Sequence, residues 1–157
     1  MSDFTHDIAV VSGSPAVRAI LDRLCAITGM GFAAVARVTE DRWIACQVLD
    51  KIGFGLEPGG ELAVKTTICD EIRANNLAVY IDCVAEAPMW QLHPTPLLYG
   101  FQSYVSVPVY RPDGSFFGTL CAIDPEPHAV SLVETVAAIE ALAREVMECL
   151  ENEQATA

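Results

Sequence analysis

Positive charge is what this sequence has least of: 9 Lys and Arg stand against 21 Asp and Glu, a formal net charge of −12. That balance opposes approach to nucleic acid and to anionic lipid headgroups, so DNA, RNA and membrane surfaces are not expected as partners. No apolar run reaches the roughly 18 residues of a membrane span. The first residues, MSDFTHD, show no basic region followed by an apolar one, so nothing marks export and a cytoplasmic protein is expected. The six cysteines, Cys25, Cys46, Cys69, Cys83, Cys121 and Cys149, include no CxxC pair and no Cys–His spacing of a zinc site. They read as reduced thiols used as small hydrophobes, and no metal is expected.

What the chain does have is apolar content, 52% over 157 residues, enough for the core of one domain. Its densest part is YVSVPVYRPDGSFFGTLCAID, from Tyr104 to Asp124. Two apolar runs, Tyr104 to Tyr110 and Phe116 to Ile123, flank Arg111-Pro112-Asp113-Gly114, where proline and Asp-Gly supply the backbone angles of a tight reversal. The stretch reads as a β-hairpin. Its arms are apolar on alternate and intervening positions alike, so both faces of the sheet need cover.

Residues 1–13 read as a loose tail, and Ser14-Pro15 as an N-cap followed by proline at the first helical position. Val17, Ile20, Leu21, Leu24 and Ile27 recur at the spacing of one helical face, and Gly29 and Gly31 stop the helix near Thr28. Strands are expected at Phe32 to Val38 and Trp43 to Leu49, joined by the polar link Thr39 to Arg42. The Gly-rich stretch 51–60 is a loop before a short strand near Glu61 to Val64. Thr66 or Thr67 caps a short helix through about Asn75, and Ala78 to Asp82 is a fourth strand by its branched and aromatic content.

Residues 83–100, CVAEAPMWQLHPTPLLYG, are long and unusually apolar for a connection, as in a lid folded back over the sheet. The last helix is expected over 129–152. Leu132, Val136, Ile139, Ala143, Val146 and Leu150 form a heptad seam, with Val133, Ala137 and Ala141 as a second stripe beside it. One stripe is expected on the sheet and the other against a partner helix, in a homodimer. Residues 153–157 are a polar tail.

Three segments resemble the GAF domain family of bacterial signalling proteins. They are Thr67-Ile68-Cys69 opening the short helix, Val79-Tyr80-Ile81-Asp82, and the hairpin with Val107-Pro108-Val109 and Gly118-Thr119-Leu120-Cys121-Ala122-Ile123-Asp124. The resemblance covers about residues 14–150. It implies an α+β fold in a single domain over 14–152: an antiparallel sheet of about six strands, terminal helices on one face and a lid-covered pocket on the other. It also implies a non-catalytic sensory or dimerisation module of a two-component pathway, linked to a histidine kinase or another output domain.

Strand alternation places Gln102, Tyr104 and Ser106 on one face and Ser103, Val105 and Val107 on the other. By comparison with tetrapyrrole-binding relatives the first set faces the pocket, with Trp90, His93, Tyr99 and Phe101 of the lid as further candidate ligand contacts. The same polar groups serve equally as bonds to the overlying loop, and the aromatics as core beneath it. The resemblance leaves the cofactor unknown. Bilin linkage needs a Cys before His93, where Leu92 stands, and haem would rest on His93 as its axial nitrogen. No cyclic-nucleotide signature is found, and Arg111 is the single basic residue between 78 and 124. An enzymatic alternative comes from family members that reduce free methionine sulfoxide: Cys69 falls at a position comparable to one of their cysteines, but the other thiols do not follow their pattern.

Overall fold

The structure, a computed structural model, describes residues 9–39, 42–53, 55–62, 78–86 and 100–155. Ser14 and Pro15 start the first helix as their chemistry requires. The Ser14 hydroxyl accepts the Val17 amide at 3.1 Å, and proline takes the first position, where its missing N–H leaves no bond unmade. Helix α1, Pro15–Thr28, ends at Gly29 with φ 78°, a left-handed angle at which its N–H reaches Cys25 O at 2.8 Å. Val17, Ile20, Leu21 and Leu24 are buried, while Ile27 is 40% exposed. The tail expected over 1–13 is ordered at its end: residues 9–12 are helical and Val11 is buried, its carbonyl accepting the side-chain amide of Gln47.

Six strands follow: β1 Phe32–Val38, β2 Trp43–Asp50, β3 Glu61–Leu62, β4 Val79–Ile81, β5 Ser103–Tyr110 and β6 Phe116–Asp124. They form one antiparallel sheet in the order β3-β2-β1-β6-β5-β4, with four long strands at the centre and the two short ones at the edges. Residues 84–86 make a single 3₁₀ turn after β4. The β5–β6 reversal is closed by Arg111 N–H to Ser115 O and Gly114 N–H to Arg111 O, both 2.8 Å, with Gly114 at φ 88°. The short helix expected after Thr66 or Thr67, with Cys69, lies outside the described residues. So do the part of the third strand beyond Leu62, most of the expected lid, and the candidate contacts Trp90, His93 and Tyr99.

Helix α2, Val133–Ala155, begins later than the expected residue 129. The amides of Val130 and Ser131 are bonded to the Asp82 carboxylate at 2.8 and 2.9 Å, which holds this segment in a non-helical connection. Arg23 of α1 pairs with Glu145 of α2 at 3.1 Å, and Gly29 at the end of α1 lies against His128 just before α2. The two helices therefore run antiparallel.

Apolar burial divides across the sheet. On one face, Ile20, Leu21 and Leu24 of α1 and Ile139, Leu142, Val146 and Leu150 of α2 pack with Val35, Val105, Val107, Val109, Leu120 and Ala122. On the other, Phe32, Ala34, Ala36, Val38, Trp43, Ala45, Ile81, Phe101, Tyr104, Cys121 and Ile123 form a second cluster. Each fully buried branched side chain contributes about 1.5–3 kcal/mol, so neither face could be given up. The alternation read from the sequence holds in β5, whose odd-numbered valines meet the helices while Tyr104 belongs to the opposite cluster. On α2 the seam from Ile139 to Leu150 is core, whereas Val133 is 82% exposed.

Candidate functional site

The face away from the helices is built in rows, because residues paired across antiparallel strands share a side of the sheet. Tyr104, Ile123 and Phe32 make one row; next comes Ser106, Cys121, Ala34 and Val48; then Pro108, Thr119, Ala36 and Ala45. Val38 and Trp43 form the last. Large side chains thus occupy the two outer rows, and mostly small ones the two middle rows. At about 3.3 Å per residue, the outer rows stand about 20 Å apart. The result is a trough in side-chain height, its floor of Ala34, Ala36, Ala45, Ser106, Thr119 and Cys121 buried throughout.

A bulge makes this arrangement possible. Ala36 pairs with Ala45 but Val35 pairs with Gln47, so Cys46 is an extra residue in β2. The slip restores phase: Trp43 and Ala45 before it and Val48 after it all face the trough, and Cys46 packs with the helix-side core. Simple alternation would have sent one end of β2 to the wrong side.

Of the expected site residues that are described, Phe101 is buried and its ring stacks on Tyr104 at 5.0 Å between centroids. Ser106 and Tyr104 sit in adjacent rows of the trough. Gln102 takes the second of its two expected roles, a bond to the neighbouring connection. Its side-chain oxygen accepts the Ala85 amide at 3.0 Å and faces Cys83 Sγ at 3.7 Å, while its backbone bonds Val84 and Asp124. It pins the 83–86 segment to the end of the sheet. The sequence reading missed the alanine floor, Thr119 and Trp43, although Ala34 and Ala36, small residues in a strand otherwise built for bulk, were its visible sign.

Two carboxylates tie this region to the helices. Asp82, at the end of β4, accepts the amides of Val130 and Ser131 through Oδ1 and the Ser131 hydroxyl through Oδ2 at 2.6 Å, and its own carbonyl accepts the His128 amide at 3.1 Å. Asp124, at the end of β6, accepts the Gly31 amide at 2.9 Å through Oδ1. Its Oδ2 accepts the Glu126 amide at 2.9 Å and lies 3.1 Å from His128 Nε2. The end of β4, the end of β6, the exit of α1 and the entry to α2 thus meet at one knot.

The five described cysteines, Cys25, Cys46, Cys83, Cys121 and Cys149, are free thiols. Cys25 and Cys46 lie in the helix-side core, and burial pushes the Cys25 thiol above its usual 9.0. Cys121 is in the trough floor and Cys83 is half-buried. No group of three or more His, Cys, Asp or Glu suited to a metal occurs among the described residues, and no described helix is long and apolar enough to cross a membrane. A groove of about 690 Å³ opens between the margin of β5 and α2, lined by Val107, Pro108, Tyr110, Ala143, Arg144 and Met147 among others.

The family model described as GAF domain matches residues 14–150. No match was found among curated proteins. Among solved structures, the chain is similar to the GAF domain region of a Geobacter sulfurreducens protein, with a TM-score of 0.70 and 14% identity over 96% of this chain and 99% of that one. It is also similar to the GAF domain of a two-component sensor histidine kinase from Bacillus halodurans, with a TM-score of 0.65 and 12% identity over 90% and 95%. A type II free methionine-R-sulfoxide reductase from Thermoplasma acidophilum matches with a TM-score of 0.62 and 16% identity over 85% and 89%. At these identities the likeness is one of fold.

Proposed function

The chain belongs to the GAF domain family, and we propose that it is a non-catalytic sensory module of a signalling pathway, with a histidine kinase or similar output domain as its partner. In this reading a small molecule settles on the trough face and shifts α2 in a homodimer. The bond from Asp82 to Val130 and Ser131 carries the reading, because it joins the strand beside the trough directly to the connection that enters α2. A ligand moves such an equilibrium only by its difference in affinity for two arrangements, and a segment anchored at Asp82 offers that difference.

The surface of the helices supports the dimer. Leu132 at 55% and Val133 at 82% exposure stand at the start of α2, with Ala137 exposed one turn on and Ile27 exposed at the end of the antiparallel α1. Isolated exposed apolar residues are ordinary, but exposed apolar positions on both of two packed helices are what a bundle interface needs. The acidic composition and the thiols suit a cytoplasmic setting.

Light scattering of the purified protein at micromolar concentration is expected to give twice the chain mass. Val133→Asp is expected to give the monomer with stability changed by less than about 0.5 kcal/mol, as for an exposed position. A parent protein that is monomeric with and without ligand would overturn the dimeric part of the reading.

A further inference from the structure

Helix α2 carries a second row of side chains beside its core face. Val133, Ala137, Glu140, Arg144 and Met147 recur at alternating steps of four and three residues, the spacing of a single seam along one side of a helix. The two ends of that row differ. At its start Val133 is 82% and Leu132 55% exposed. Further along, Glu140, Arg144 and Met147 border the groove of about 690 Å³, whose apolar lining includes Val107, Pro108, Ala143 and Met147. A projecting apolar knob and an apolar recess thus lie on the same side of one helix, and from Val133 to Arg144 is about 16 Å at about 1.5 Å per residue.

The charges along the row set the direction in which a second helix can lie on it. Among the described residues, Arg144 and Glu134 are exposed and neither has an ion pair. Glu140 and Glu148 stand one turn to either side of Arg144, but neither pairs with it, and Glu140 takes the Tyr80 hydroxyl at 3.3 Å. In a parallel pair about a twofold axis each residue comes level with its own copy, so Arg144 would meet Arg144 and the groove would face a groove. In an antiparallel pair with the axis level with residue 139, Glu134 comes level with Arg144, and Val133 falls midway between Ala143 and Met147. The knob then enters the recess and opposite charges meet, each contact being made twice.

We infer that the homodimer forms by α2 packing antiparallel on α2 of a second copy, with Leu132 and Val133 of each copy seated in the groove of the other and Glu134 paired with Arg144. This rests on the dimer of the sensory reading above and specifies its interface. Both copies use the same patch, so the contact closes at two copies. Asp82 holds Val130 and Ser131 directly before the knob, so a shift of that connection moves the knob within the other copy's groove.

The test combines charge reversal with a photo-crosslink in the full chain. By sedimentation velocity, Glu134→Arg and Arg144→Glu are each expected to weaken the dimer at least about tenfold, because each reversal acts at two contacts and sets like charges together. The double variant is expected to return to within about threefold of the parent. Urea midpoints, expected to be unchanged at these exposed positions, separate loss of the contact from loss of the fold. With p-benzoylphenylalanine placed at position 133, irradiation is expected to give a crosslinked dimer whose attached peptide lies within 107–112 or 143–148. A crosslink to residues 129–137 of the other copy would mark a parallel pair, and one to α1 a different face. Either overturns the inference, as do single variants that dimerise like the parent or a double variant no tighter than the single ones. A dimeric parent with any of these results removes this interface alone, whereas a monomeric parent removes the dimeric reading itself.

Discussion

At the scale of single residues, the tightest constraint lies at Gly118. A Cβ built there would stand 1.8 Å from the carbonyl oxygen of Ala36, in the neighbouring strand β1. Backbone in the middle of a sheet cannot step aside without breaking its ladder, so Gly118→Ala is expected to destabilise the fold by about 3 kcal/mol, read as a lower urea midpoint. An unchanged midpoint would show that β6 relaxes locally. A second residue-level expectation concerns alkali. Burial raises the Cys25 thiol above 9.0, and burial followed by the Glu140 carboxylate, 3.3 Å away, raises the Tyr80 phenol above 10.0. Both groups hold their protons more tightly folded than unfolded. The stability they contribute is therefore complete below pH 9.0 and is lost as the pH climbs through the unfolded and then the folded values. Urea midpoints should fall between pH 9 and pH 11, and less steeply in Tyr80→Phe; an equal slope in the variant would remove Tyr80 from the account.

At the scale of elements, Asp82 decides where α2 begins. Asp82→Ala removes the acceptor of two amides and a hydroxyl, and leaves those amides to water or to nothing. The variant is expected to lose about 1–3 kcal/mol and to exchange the Val130 and Ser131 amide protons at least about tenfold faster. Protection that survives the substitution would mean that other contacts hold the connection. This bond also explains what the sequence reading could and could not reach. The long strands were legible because their apolar runs are continuous, and α1 because Ser14-Pro15 and Gly29 mark both its ends. The start of α2 was not, because the group that delays it lies 48 residues earlier in the chain than Val130. The trough was half legible. Alternation placed Tyr104 and Ser106 on its side, but the slip at Cys46 that brings Trp43 onto the same wall is a property of strand pairing and leaves no local mark.

At the scale of the whole molecule, the two faces of one sheet are closed differently. The helix side is a continuous apolar core, and the other side is a wall of small and aromatic residues joined to α2 by the knot at Asp82 and Asp124. The α+β order and the division of faces followed from the sequence, since only the terminal helices have the spacing to cover the valine side. Among the described residues β4 is three residues long and pairs with β5 only from Tyr104 to Ser106, and Pro108 stands on β5 beyond that pairing. A proline has no amide hydrogen to offer, so a strand from another molecule arriving at that margin finds the hydrogen-bonding pattern interrupted. Pro108 thereby works against sheet-to-sheet growth at that margin.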